Sequence, residues 1–183
     1  MEIGLNEEMT RTHALMDGMV LCAIFLMCTF AFRSIVAGLM LTLPLLLSNL
    51  VAFAYMAMTG IGLSTNTLPC SAIGVGVGVD FAIYLYSRCV EEYPNSKGWV
   101  DTVLTGVRTA GLGIVFTGIT LIFPILTWYF ISSLKFQAQI GFFLSLLLFV
   151  NMIGALTLHP LMITLVKPKF MTRGLKDASK GSE

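Results

Sequence analysis

Asp80 is the residue whose type and setting most clearly indicate chemistry. It lies in the middle of the apolar stretch SAIGVGVGVDFAIYLYSR, and the sequence places no other acidic residue as deep within an apolar run. A lone carboxylate in hydrocarbon costs about 3 kcal/mol or more unless it is protonated, paired or hydrated. Since hydrocarbon favours the neutral acid, such a group can carry a proton. We interpret Asp80 as a proton- or ion-coupling carboxylate. The alternatives are a structural Asp bonded to neighbouring hydroxyls and an Asp near the membrane interface.

Hydroxyl groups at helical spacing from Asp80 suggest partners for it. Tyr84 follows by four residues and Ser87 by seven, so both fall near the same helix face. Thr117, in the stretch GIVFTGITL, would complete a relay if its hydroxyl faced Asp80. We predict a proton relay of Asp80, Tyr84 and Thr117. The alternatives are an interfacial anchor for Tyr84 and an ordinary hydrogen bond between helices for Thr117.

Three glycines precede the carboxylate at alternate positions, Gly74, Gly76 and Gly78. Gly74 and Gly78 are four residues apart and therefore share one face of a helix. This small-xxx-small spacing lets two helices approach closely in a membrane. We predict helix packing at these glycines, and such packing could also bury Asp80 against a partner helix.

Several functional classes lack their signatures. The net charge of +1 provides no basic surface for nucleic acid, so no nucleic-acid partner is expected. The glycine-rich stretch lacks the GK[ST] ending of a nucleotide-binding loop, and neither GxSxG nor HExxH occurs. The cysteines form no CxxC pair, and neither His13 nor His159 has a second ligand at metal spacing. We expect no enzyme activity, no cofactor and no metal site.

The elements that must position Asp80 are membrane helices. Charged residues make up 11% of the chain, about half the share in soluble domains, and the mean hydropathy is +0.86. Strand-like alternation is absent, and only helices or closed barrels span hydrocarbon. We predict an all-α bundle of five spans, at about 17–32, 35–59, 67–88, 111–131 and 138–166. An amphipathic, interfacial lead-in is expected at 99–110, a turn at 60–66, and Pro44, Pro124 and Pro160 are expected to kink or end helices.

The positions of lysine and arginine predict the orientation of the bundle. Arg33, Arg88, Lys97 and the basic residues after 166 all fall on one side of five spans. Cytoplasmic loops carry an excess of such residues. We therefore divide the chain into an extracytoplasmic segment 1–16, a transmembrane domain 17–166 and a cytoplasmic basic tail 167–183.

The segment GVGVDFAIYLYSR resembles the motif of the fourth or tenth helix in the resistance-nodulation-division (RND) superfamily of transporters. It is most similar to the MMPL branch, which exports hydrophobic molecules and lipids. The segments FRSIVAGLMLTLPLLLSN, GIGLSTNTLP, KGWVDTVLTGVRTAGLGIVFTGITL, SSLKFQAQIGFFLSL and ALTLHPLMITL resemble further parts of the same membrane repeat, in the same order. The resemblance covers nearly the whole chain after about residue 17.

The resemblance implies two repeats of six helices, of which this sequence would contain the last five helices of the C-terminal repeat. It assigns proton transfer to Asp80, with Phe81 standing where the family usually has Tyr, so Tyr84 or Thr117 would take that part. The expected protein is a proton-driven exporter in the cell (inner or plasma) membrane. Its expected partners are membrane lipids, a hydrophobic or lipid substrate, and the missing N-terminal repeat or a partner subunit.

Two other functions fit the same layout. One is a non-transporting membrane module, either similar to a sterol-sensing domain or acting as a partner subunit. The other is a protein-translocation accessory resembling SecD and SecF, which share a five-helix arrangement. The amino-acid sequence of the motif around Asp80 more closely resembles that of the lipid exporters.

Overall fold

Five long α-helices make up the protein. The computed structural model describes residues 2–59 and 68–168. No β-strand occurs within these ranges, which confirms the predicted all-α class. The helices are α1 (Glu2–Phe32), α2 (Ile35–Thr59), α3 (Leu68–Glu92), α4 (Trp99–Ile131) and α5 (Lys135–Val166), with a short 3-10 turn at Tyr93–Asn95 before α4.

Each helix contains an apolar stretch long enough to cross a membrane, since about 20 residues are needed. The spanning stretches are Ala14–Phe32, Ile35–Met58, Pro69–Asn95, Trp99–Ile131 and Gln137–Val166. Five membrane helices were predicted, and five are found among the described residues. Helix α1 continues without a break through the predicted boundary between residues 16 and 17.

The predicted lead-in at 99–110 is part of α4 and not a separate element. No proline interrupts the segment, and the hydroxyl of Thr102 donates to the carbonyl of Gly98 in the first turn at 3.0 Å. One face of the segment is buried on the bundle, including Val103, Gly106 and Ala110. At about 1.5 Å per residue, a helix of 33 residues is about 50 Å long, more than the ~30 Å of hydrocarbon. One end of α4 therefore extends beyond the apolar layer.

The turn between α1 and α2 consists of Arg33 and Ser34 alone. Arg33 has φ 49°, in the left-handed region, and the amide of Ser34 donates to the carbonyl of Thr29 at 3.1 Å. Residues 132–134 connect α4 to α5. The turn predicted at 60–66 and most of the predicted basic tail, from residue 169 onwards, lie outside the described residues.

The three intramembrane prolines lie inside helices. Pro44 is within α2, Pro124 within α4 and Pro160 within α5, and each helix continues past its proline. None of the three prolines therefore ends its helix, and a kink at each, the other part of the expectation, stays a prediction.

Helices α3 and α5 form the centre of the bundle. Helix α3 packs against all four other helices, whereas α4 packs mainly on α3 and α5, and α1 mainly on α2 and α3. The spanning stretch of α3 is 56% buried within the bundle and that of α4 only 11%. Helix α4 therefore presents most of its surface to whatever surrounds the five helices.

Candidate functional site

Asp80 lies at the midpoint of α3, twelve residues from each end of the helix (80 − 68 and 92 − 80). Its side chain is exposed on the outer surface of the five-helix bundle. Gly74 and Gly78 face α5 on the opposite side of α3, so their packing does not bury Asp80 against that helix. That part of the sequence interpretation is wrong.

A groove of about 430 Å³ runs along the outer surface between α3 and α4, and Asp80 lies in it. Tyr84 lies on the same wall, one helical turn further along α3, and Thr117 lies on the facing wall formed by α4. The three residues predicted as a relay thus line one groove. Its complete lining is Val77, Asp80, Phe81, Tyr84, Gly113, Ile114, Thr117 and Leu121.

Tyr84 reaches across the groove to α4. A methyl group at Gly113 would lie 3.4 Å from a ring carbon of Tyr84 and 3.6 Å from its hydroxyl oxygen. Gly113 is one helical turn before Thr117, so the phenol points toward the part of α4 that carries the Thr117 side chain. Ser87, the other hydroxyl considered on α3, does not line the groove.

Thr117 differs from most of the other threonines on α4 in its hydrogen bonding. The hydroxyls of Thr109, Thr120 and Thr127 each donate to the carbonyl four residues earlier, at 2.7–2.8 Å. Within the described part of the chain, the side chains of Thr117, Asp80 and Tyr84 make no hydrogen bond or ion pair. One carboxyl and two hydroxyl groups are therefore available to each other, to water or to another membrane element.

Two of the three glycines lie against α5. A methyl group at Gly74 would overlap the side chain of Leu147, and one at Gly78 would overlap the side chain of Asn151. Gly76 has open space where its side chain would be. The shared face deduced from the spacing of Gly74 and Gly78 is thus the face that approaches another helix, and Gly76 is not on it.

A second polar group, absent from the sequence interpretation, connects α1, α2 and α3. The hydroxyl of Ser71 lies 2.7 Å from a carboxylate oxygen of Asp17 and 3.2 Å from the amide oxygen of Asn49. A hydroxyl has one proton, so it donates to only one of the two oxygens at a time. Ser71 and Asn49 are buried, and Asp17 is partly buried. Asp80 is therefore not the only acidic residue within the spanning stretches, since Asp17 lies in Ala14–Phe32.

The described residues contain no group of three His, Cys, Asp or Glu side chains that could hold a metal ion. His159 is buried beside Tyr86, with ring centroids 5.5 Å apart and nearly perpendicular planes. Its Nδ1 atom has no hydrogen-bond partner in the described part of the chain. His159 is therefore a packed core residue of α5 in this arrangement.

Comparison with known proteins identifies the family of the chain. The model of the MMPL family matches residues 4–180, which is nearly the whole sequence and includes all five helices. No curated protein and no solved structure matches the chain significantly. With a match that extends from the first turn of α1 into the segment after α5, the chain belongs to the MMPL family.

Proposed function

We propose that the chain is a membrane portion of an RND-type exporter that uses the proton motive force to move hydrophobic or lipid substrates. MMPL membership supports the transporter class. The observation that carries the proton-coupling part is the groove, which is lined by one carboxyl group and two hydroxyl groups that have no hydrogen-bond partner among the described residues.

In this proposal Asp80 takes up and releases the transported proton. A carboxyl group in an apolar groove favours its neutral form, whereas contact with water favours the ionised form. Alternate exposure of the groove to water from the two sides of the membrane would therefore load and discharge Asp80. Each proton that crosses supplies about 2.3 kcal/mol per 100 mV of membrane potential.

Tyr84 and Thr117 deliver or receive that proton. Both side chains combine a donor proton with acceptor lone pairs, so a hydroxyl can pass a proton on while accepting another. In this sequence Phe81 is 3% exposed and has no hydroxyl, so the tyrosine one turn further along α3 takes the part that the residue after Asp80 has in related transporters.

The groove face packs against a further membrane element, either the other repeat of the transporter or a partner subunit. An uncompensated carboxyl group facing lipid would be costly. The α4 surface beside the groove is strongly apolar and exposed, with Leu112, Phe116 and Phe123 each more than 70% exposed. Such a surface is compatible with close packing of another helix. The remaining outer surface contacts membrane lipids.

We place the protein in the cell's inner or plasma membrane. In the proposed orientation the N-terminus lies outside the cytoplasm and the C-terminus lies in the cytoplasm. Arg33, Arg88, Lys97 and Lys167 support it, since basic residues near the ends of spans favour the cytoplasmic side.

Replacement of Asp80 tests this function. In the full-length protein, Asp80→Asn should reduce export to about a hundredth of the wild-type rate or less, since a positioned acid–base group contributes at least ~100-fold. Export is measured in cells as the protonophore-sensitive efflux of Nile red, a hydrophobic dye. The matched control is Asp17→Asn, an isosteric change at a membrane carboxylate outside the groove, which should retain most of the activity.

Protonophore-sensitive export at the wild-type rate by a folded Asp80→Asn protein would contradict the proposal. That result would mean that a group other than Asp80 carries the proton. A wild-type protein that exports no dye in a protonophore-sensitive manner would instead favour the alternatives, a non-transporting module similar to a sterol-sensing domain or a translocation accessory.

A further inference from the structure

Asn151 of α5 holds α3 on the side opposite the groove. Its amide nitrogen donates to the carbonyl of Gly74 at 3.1 Å, and its side chain covers the Cα of Gly78 closely enough that a methyl group there would overlap it. One helical turn earlier on α5, Leu147 covers Gly74 in the same manner. These contacts lie between the two central helices of the bundle.

An asparagine is not the residue that packing alone would select at position 151. The side chain is 4% exposed, and its Oδ1 atom accepts no hydrogen bond from any residue that the structure describes. A buried acceptor without a partner costs free energy, and an apolar side chain at this position would not carry that cost. The amide therefore has a use that offsets its cost, and its one hydrogen bond connects it to the turn of α3 that precedes Asp80.

The contact determines the rotation of α3 about its own axis. Asp80 follows Gly78 by two residues, which is about 200° around a helix. Fixing Gly78 against Asn151 therefore directs Asp80 away from α5 and into the groove. A rotation of α3 by about 30° would move a side chain lying 5–6 Å from the axis by roughly 3 Å. A displacement of that size equals the length of a hydrogen bond, so it would change whether the carboxyl group of Asp80 can reach a groove hydroxyl.

We propose that Asn151 is a positioning residue for Asp80. It holds the Gly74–Gly78 turn through one hydrogen bond and one close contact, and so keeps the carboxyl group of Asp80 aligned with Tyr84 and Thr117. The proposal rests on the proton-carrying role of Asp80, but its test does not depend on transport.

The first measurement is the rate at which dicyclohexylcarbodiimide, a hydrophobic carboxyl reagent, labels Asp80 in the full-length protein. Labelling is quantified by mass spectrometry, with Asp80→Asn as the background. Gly78→Ala should lower the rate by about threefold or more, because the methyl group displaces Asn151 and rotates α3. Gly76→Ala is the matched control: the same substitution two residues earlier meets open space and should leave the rate unchanged.

The second measurement uses Asn151→Ala, which removes the hydrogen bond without introducing an overlap and so folds even if Gly78→Ala does not accumulate. It should slow labelling of Asp80 in the same direction, and it should shift the pH at which Nile red export is half-maximal. Labelling of Asp80 at the wild-type rate in folded Asn151→Ala protein would overturn the proposal. Wild-type labelling in Asn151→Ala would leave the role of Asp80 as the proton carrier untouched. Wild-type export by Asp80→Asn, conversely, would contradict that role of Asp80, but the comparison of Asp80 labelling between Gly78→Ala, Asn151→Ala and Gly76→Ala could still be made.

Discussion

Thr117 is the groove residue whose contribution can be isolated most cleanly. Its hydroxyl makes no hydrogen bond within the described part of the chain, whereas that of Thr120 donates to the carbonyl of Phe116 at 2.7 Å. Thr117→Val should lower protonophore-sensitive export by about tenfold, because the lost hydroxyl is available for proton transfer. Thr120→Val removes an equivalent group that is already satisfied, and its export should stay near the wild-type rate.

Wild-type export by Thr117→Val would show that the hydroxyl on the α4 wall of the groove takes no part in proton transfer. Equal losses in the two variants would point to a general effect of removing a threonine hydroxyl from α4. Only a difference between the two supports a specific part for Thr117.

The sequence predicts which functional residues lie close together when they share a helix, and it predicts this less well when they lie on different helices. The spacing of Asp80 and Tyr84 places them on one face, because residues four apart on a helix are neighbours. That Thr117 faces the same groove depends on the rotation of α4, which is set by packing on α3 and α5 and has no local signature. The Ser71 contacts with Asp17 and Asn49 were missed for the same reason, although three polar residues in three apolar stretches were a visible signal.

Ser71 helps to hold α3 against α1 and α2 through its contacts with Asp17 and Asn49. The Ser71→Ala change leaves Asn49 buried without its partner and removes a hydroxyl 2.7 Å from Asp17. The protein should lose about 1–2 kcal/mol of stability, between the usual value of a membrane hydrogen bond and the cost of an unsatisfied buried group. The loss is measured as a lower Tm in detergent.

Ser87→Ala provides the comparison for that experiment. Ser87 is on the same helix and partly buried, but its hydroxyl makes no hydrogen bond within the described residues. A similar Tm for Ser71→Ala and Ser87→Ala would show that the three-helix polar group contributes nothing to stability.

The helices themselves followed from hydropathy, since an apolar stretch of spanning length in a membrane has few alternatives to a helix. Hydropathy alone does not show that residues 99–110 and the following span form one continuous helix. Residues 99–110 look half polar, which predicts a separate lead-in, yet they contain no proline, and one helix runs from Trp99 to Ile131, past Pro124. The prolines that do occur were weighted too heavily, because neighbouring helices and side chains can satisfy the freed carbonyl groups in a membrane.

Aromatic contacts bring the basic ends of three helices together. The ring of Tyr86, near the end of α3, lies 6.4 Å from that of Phe32 at the end of α1 and 5.5 Å from that of His159 in α5. Lys97 and Lys167 line one surface pocket where α4 begins and α5 ends. Of the basic residues counted along the sequence, the described ones, Arg33, Arg88, Lys97 and Lys167, thus lie at one end of the bundle.

Cysteine labelling in intact cells tests which side of the membrane that end occupies. Asn95→Cys lies at the basic end and Ser133→Cys at the other end, and both positions are exposed. A membrane-impermeant maleimide should label Ser133→Cys in intact cells and Asn95→Cys only after permeabilisation, because basic ends favour the cytoplasm. The reverse pattern would contradict the proposed orientation.

The two-residue turn at Arg33 and Ser34 restricts how the bundle can move. A connection that short spans at most about 7 Å, so at that end α1 and α2 cannot slide past each other by a full helical repeat of about 5.4 Å without straining the turn. The three-residue connection between α4 and α5 restricts its pair in a similar way. In any transport cycle of this bundle, α1 therefore moves together with α2, and α4 moves together with α5. Within each pair, the remaining motion is a hinge rotation about the connecting turn.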